Sequence, residues 1–92
     1  MPTILVAYDI VSEAQRATLS AELKILADGR GWWHHLTSTW LLKTEHSVEV
    51  VRDHLAEKLE ASDRLIVVDV TFSGRAWSGF NEHAGKWLRE RW

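Results

Sequence analysis

The alternation of apolar and polar positions predicts three strand segments. The run from Thr3 to Asp9 is apolar on both faces, which is typical of the centre of a sheet. The segment from Trp32 to Lys43 is aromatic and β-branched, and it fits either one long strand or two short strands bent at Leu36-Thr37-Ser38. A further apolar strand is predicted from Leu65 to Phe72, interrupted by Asp69.

Apolar positions at helical spacing predict three helices. The first begins at Ser12, which is followed three residues later by a glutamine in capping-box spacing, and it ends at Gly29-Arg30-Gly31. The second begins at Ser47 and ends at Ser62-Asp63, and the third runs roughly from Phe80 to Arg89. The apolar stripes consist of Leu19, Leu23 and Leu26, then of Val48, Val51, Leu55 and Leu59, and last of Phe80, Ala84, Trp87 and Leu88.

Taken in order, these elements predict an α+β fold. If the middle segment is a hairpin, the order becomes β-α-β-β-α-β, the ferredoxin-like plait, with both helices on one face of an antiparallel sheet. We expect a single domain over residues 1–92, with the plait core in residues 1–72 and a tail with a C-terminal helix in residues 73–92. The second face of the sheet then needs a cover, which is either this tail helix or a second subunit.

Composition narrows the class of protein. The chain has 92 residues, 46% of them apolar, and six are Trp, so a few large side chains are expected to carry much of the core. A domain this small that exposes large aromatic side chains often dimerises, and we expect a homodimer. The net charge of −2 argues against a strongly basic nucleic-acid binder, although it leaves room for contact with nucleic acid through a metal ion.

Cysteine content and hydropathy indicate the cellular compartment in which the protein is expected. The chain has no Cys, which rules out a disulfide framework, a thiolate zinc site and a Cys nucleophile. No apolar stretch approaches the roughly 18 residues of a membrane span, and Met1-Pro2-Thr3 leads straight into the first strand. We therefore expect a cytoplasmic protein without a targeting segment and without a membrane partner.

Asp9 is the first candidate for chemistry because it ends the central strand. The alternative is turn chemistry, or a mimic of a helix N-cap, between a strand and a helix. In the plait the first strand lies between the second hairpin strand and the last strand, antiparallel to both. Ser38 and Thr39 on one side, and Asp63 and Arg64 on the other, should therefore lie near Asp9. One carboxylate is too little to hold Mg²⁺, but a twofold axis near Asp9 would supply two.

The histidines and tryptophans admit both structural and functional interpretations. His34 and His35 are adjacent, so on a strand they point to opposite faces, and the spacing of the five histidines matches no metal-binding motif. One of this pair is expected at the core or an interface and the other in solvent. The tryptophans could stack on bases, but core or interface packing is favoured, with Trp33 or Trp40 beneath Trp87.

The first strand also carries a resemblance to a known family. Val6-Ala7-Tyr8-Asp9-Ile10 resembles the signature that opens the small CRISPR-associated endonuclease of spacer acquisition. Arg16 matches a basic residue that follows the family's Asp at this distance. Gly31 and Ser38-Thr39-Trp40 are similar to the family's later Gly and its strand ending in Ser-Val-Phe. The Trp-rich stretches resemble a sister group of short bacterial and phage proteins filed as SinR-like, and the VapD toxin nucleases are a further branch.

This resemblance implies a homodimer of plaits in which Asp9 faces its symmetry mate, with Mg²⁺ between them. The implied activity is Mg²⁺-dependent cleavage of RNA or DNA with Asp9 as the catalytic metal ligand. The alternatives are a non-catalytic dimeric scaffold that binds a partner protein or nucleic acid, and a toxin-like ribonuclease of a toxin–antitoxin system. The residues expected to support Asp9 are Tyr8, Arg16, Ser38, Thr39 and Arg64.

Overall fold

The fold contains four strands and three helices in a computed structural model that describes residues 1–92. The middle segment is a hairpin, so the second of the two sequence alternatives is correct. The elements are β1 Thr3–Asp9, α1 Glu13–Ala27, β2 Trp32–Leu36, β3 Thr39–Lys43, α2 Val48–Ala56, β4 Arg64–Asp69 and α3 Glu82–Glu90.

The four strands form one antiparallel sheet in the order β2-β3-β1-β4. As predicted, β1 lies between β3 and β4: Ala7 is opposite Thr39 on one side and opposite Ile66 on the other. The chain is therefore an α+β fold with an architecture compatible with a ferredoxin-like plait. None of its three helices combines the length and the apolar character that crossing a membrane requires.

The face of the sheet that α1 and α2 cover, called the helical face, holds the larger core. The predicted caps are present: the Ser12 hydroxyl accepts the N–H of Gln15 at 3.3 Å, and the Ser47 hydroxyl accepts that of Val50 at 3.2 Å. Helix α1 buries its predicted stripe against the sheet, whereas α2 buries Val51 and Leu55 and leaves Val48 and Leu59 partly buried. The buried residues here are Ile4, Val6, Tyr8, Ile10, Leu19, Leu23, Leu26, Ala27, Trp40, Leu42, Val51 and Leu55.

The opposite face, called the tail face, is covered in part by α3. Ala84 and Leu88 of this helix pack on Trp33 and Leu41. The tail helix thus covers its own sheet, which was one of the two predicted options. The expectation that Trp33 or Trp40 lies beneath this helix is correct for Trp33 alone, because side chains alternate along the hairpin strands and Trp40 points to the helical face.

Element boundaries differ from the prediction at four places. Helix α2 ends at Ala56, well before the predicted end at Ser62-Asp63, so Leu59 of its predicted stripe lies beyond the helix. Helix α1 ends at Ala27, and Asp28 adopts the left-handed conformation at φ 49° before the glycines begin. Strand β4 ends at Asp69 because Val70 closes the ladder against Thr3 and the chain then turns. Helix α3 begins at Glu82, where the preceding Asn81 accepts the N–H of Ala84 at 2.9 Å, so Phe80 lies outside the helix.

Candidate functional site

Asp9 lies at the end of β1 with its side chain exposed on the tail face. The register pairs it with Arg64 of β4. None of the five salt bridges in the chain involves Asp9, and its carboxylate accepts no hydrogen bond from another residue. Its role is therefore neither helix capping nor a turn hydrogen bond, and Ser12 caps the following helix instead.

Arg16 braces the loop that leaves β1. Its Nη1 donates to the main-chain oxygens of Ile10 and Val11, both at 2.8 Å. The residue also lines a surface depression of about 310 Å³ together with Asp9 and Ser38. The structure thus brings Arg16 beside Asp9, although Arg16 also donates two hydrogen bonds to carbonyl groups of the loop.

Tyr8 lies next to Asp9 in sequence but on the other side of the sheet. Its ring is buried on the helical face, its hydroxyl accepts the indole N–H of Trp40 at 3.2 Å, and it donates to the carbonyl of Thr37 at 3.4 Å. Tyr8 therefore holds the hairpin turn in place. A supporting role for Tyr8 can only be exercised through the backbone, because alternation along β1 turns its side chain away from the carboxylate.

The neighbours predicted from strand order are found on both sides of Asp9. The carbonyl of Ser38 accepts the N–H of Tyr8 at 3.1 Å, and Arg64 stands opposite Asp9. Thr39 lies one step back, opposite Ala7, and faces the cavity beneath the tail. Asp63 accepts the N–H of Glu60 at 2.9 Å and so closes the turn that precedes β4.

A single chain brings few potential metal ligands together. No group of three or more His, Cys, Asp or Glu side chains lies close enough to hold a metal ion. Asp9 contributes a single carboxylate, and its paired neighbour Arg64 is a cation.

A row of apolar side chains beside Asp9 was not singled out from the sequence. Ala7, Ile66 and Val68 share the tail face by register and form what is called here the open strip. Ile66 is 59% exposed and Val68 is 40% exposed, whereas the buried residues of α3 pack on Trp33 of β2 and Leu41 of β3. The signal available in the sequence was the apolar character of both faces of β4.

An aromatic cavity of about 280 Å³ lies between the tail face and the chain that follows β4. Trp33 forms part of its inner wall, and Trp77, which is 37% exposed, stands at its outer side. Packing of the tryptophans in the core is confirmed for Trp33 and Trp40. The lining consists of Leu5, Trp33, Leu36, Thr39, Leu41, Gly74, Arg75, Ala76, Trp77, Phe80, Leu88 and Trp92.

Comparison of the chain with protein-family models, with curated proteins and with solved structures finds no match. The CRISPR-associated relationship thus stays a prediction from the residues of β1 and the hairpin.

Proposed function

We propose that this chain is a ferredoxin-like plait that dimerises through its open strip and hydrolyses RNA or DNA with Mg²⁺ at Asp9. The supporting observation is the position of Asp9. It is an exposed carboxylate without an ion-pair partner, at the end of a central strand, on the same face as the exposed apolar residues of the open strip. The order β2-β3-β1-β4 supports the assignment of the plait.

The open strip supports the dimer. Ile66 and Val68 are β-branched side chains exposed to water, and removing their apolar area from water favours association. Each chain carries one such strip. A twofold axis therefore lets the same surface serve both subunits, which is the usual arrangement of homodimers.

The same twofold axis doubles the charges at the end of β1. Two Asp9 carboxylates would hold one Mg²⁺, and two Arg64 guanidinium groups beside them are suited to contact phosphate oxygens of the substrate. A bound Mg²⁺ polarises a phosphate and lowers the pKa of its water. Ser38 and Arg16 line the depression beside Asp9 and offer a hydroxyl and a cation to the flanking backbone.

A non-catalytic dimer is the second candidate. One chain supplies a single carboxylate at this position and the net charge is −2, so the same interface also suits a scaffold that binds a partner without cleaving it. Both candidates require the open strip to be buried. They differ only in whether Asp9 takes part in chemistry.

The dimer is tested first, by sedimentation equilibrium of wild type and of Ile66→Glu. The new carboxylate places charge in the interface, so the variant should sediment as a monomer while wild type sediments as a dimer. Val50→Glu is the matched control, since Val50 is 47% exposed on α2, away from the tail face. A monomeric wild type, or a dimeric Ile66→Glu, contradicts the proposed interface.

Catalysis is tested with Asp9→Asn, which keeps the size of the side chain and removes its charge. Wild type should cleave single-stranded RNA or DNA with Mg²⁺ and lose this activity with EDTA, whereas the variant should remain dimeric and inactive. Cleavage of RNA alone would favour the toxin-like ribonuclease. A dimer without cleavage supports the scaffold, and so does a dimer in which the two Asp9 carboxylates lie more than about 8 Å apart, beyond the reach of a shared Mg²⁺.

A further inference from the structure

Two histidines from distant parts of the chain meet at the junction of β2 and α3. His35 lies in β2 and His83 in the first turn of α3, both are exposed, and their ring centroids are 6.3 Å apart. The one histidine ion pair in the chain joins His54 to Glu22 elsewhere, between α2 and α1. The nitrogen atoms of His35 and His83 are therefore available to a ligand from solvent.

We propose that His35 and His83 together bind one divalent transition-metal ion of the kind that imidazole prefers, namely Zn²⁺, Ni²⁺ or Cu²⁺. Two imidazole rings that share one ion at tetrahedral or cis positions, each bound through nitrogen at about 2.0–2.1 Å, have centroids roughly 4.5 to 5.2 Å apart. The observed separation of 6.3 Å is about 1 Å longer, a gap that rotation of the two exposed side chains would close. Water completes the coordination, because the pair lies at the surface.

The junction that carries the two histidines is held by buried contacts. The indole N–H of Trp33 donates to the carbonyl of Ala84 at 3.1 Å. The rings of Trp33 and Phe80 form a T-shaped pair with their centroids 5.0 Å apart. Trp33 precedes His35 by two residues, and Ala84 directly follows His83. The two backbone segments that carry the histidines are thus held next to each other before any ion binds, which lowers the entropic cost of chelation.

Binding at this pair couples the ion to the docking of α3 on the sheet. The unfolded chain separates the two histidines by 48 residues, so the chelate exists in the folded state alone and the ion stabilises that state. The site differs chemically from the one proposed at Asp9, because Mg²⁺ prefers oxygen ligands. Its function does not depend on dimerisation or on nuclease activity.

The test is a calorimetric titration of tag-free protein with Ni²⁺. Wild type should bind one ion per chain, and His35→Ala and His83→Ala should each lower the affinity by about tenfold or more, since each leaves one ligand. His46→Ala is the matched control and should bind as wild type does, because His46 lies in the exposed loop before α2. Asp9→Asn should also bind Ni²⁺ unchanged, which separates this site from the proposed nuclease site.

Tryptophan fluorescence supplies a second measurement. The ring of Trp33 is 5.1 Å from that of His35, so bound Cu²⁺ should quench its emission in wild type and leave it largely intact in both alanine variants. Far-UV circular dichroism establishes that the variants are folded, as expected for two exposed positions. Absence of Ni²⁺ binding to wild type, or unchanged affinity in either folded alanine variant, overturns the proposal.

Discussion

Trp33 donates its indole N–H to the carbonyl of Ala84 at 3.1 Å, in a buried position that joins the edge strand β2 to the tail helix. Trp33→Phe keeps an aromatic ring but removes this donor, and we expect the free energy of unfolding to fall by about 1–2 kcal/mol. Urea denaturation provides the measurement. Trp32→Phe is the control, since Trp32 is 41% exposed and its indole N–H donates to no group in the chain, so this change should lower stability by less than Trp33→Phe does.

The leucine stripe of α1 carries much of the core on the helical face. Leu23 is fully buried, and Leu23→Ala should lower the free energy of unfolding by about 2–5 kcal/mol because it removes buried methyl groups and leaves a cavity. Ile25 is mostly exposed on the same helix, so Ile25→Ala should cost far less. Similar denaturation midpoints for the two variants would contradict the assigned face of α1.

Asp69 makes stability depend on acid pH. Its pKa lies below the ordinary value of 3.8 chiefly because the Thr71 hydroxyl donates to the carboxylate, and the Thr71 N–H adds a second bond at 3.0 Å. The Asp69 carboxylate therefore binds a proton more weakly in the folded state than in the unfolded state. The carboxylate therefore stabilises the fold above the unfolded pKa, and this contribution is lost as pH falls through the folded pKa.

Urea denaturation of wild type and Asp69→Ala at neutral pH and at several values below 3.8 tests this dependence. Wild type should be the more stable at neutral pH, and the two curves should converge on acidification. Glu57→Ala, which removes an exposed carboxylate at the C-cap of α2, should follow wild type throughout. A constant difference between wild type and Asp69→Ala at every pH would refute the linkage.

The charge on Lys43 destabilises the folded state, whereas the charge on Asp69 stabilises it. The pKa of Lys43 is lowered from the ordinary 10.5, first by burial and then by repulsion from Arg75 and Arg91. The charged lysine is therefore disfavoured in the folded state, a penalty that is present at neutral pH and disappears as pH rises above the unfolded value. Arg91→Gln removes one of the repelling charges and should raise the pKa of Lys43 toward 10.5, as measured by an NMR titration of its ε-methylene group.

The control for this titration is Arg52→Gln, because Arg52 lies on α2 and pairs with Asp53 at 2.8 Å. It should leave the pKa of Lys43 where it is in wild type. An unchanged pKa in Arg91→Gln would assign the shift to burial and Arg75 alone. Arg75 itself is left intact, because its Nε donates to the carbonyl of Leu88 at 2.8 Å and anchors the tail.

Local patterns predicted the elements well where a side chain and its own backbone decide the outcome. Ser12 and Ser47 cap the two helices as their positions indicated, and strand β1 has the predicted bounds. The end of β4 was less predictable. The apolar run continues to Phe72, but the ladder stops near Val70 because its partner strand begins at Thr3, and Phe72 is left fully exposed.

The sequence also predicted part of the candidate site. Strand order alone placed Ser38 and Arg64 on the two sides of Asp9, since antiparallel neighbours bring the end of one strand beside the starts of two others. It gave no information on the bonds of Arg16 to the loop carbonyls. These depend on the path of the backbone after β1.

The sequence by itself determined the elements, the α+β class and the acid at the end of β1, because period, capping residues and strand alternation act over a few neighbouring residues. Only the tertiary structure decided which part of the tail face α3 covers, and hence that Ile66 and Val68 stay exposed beside Asp9. It also brought His35 and His83 together. Both results depend on where a helix packs on a sheet, which is decided by contacts between residues far apart in the chain.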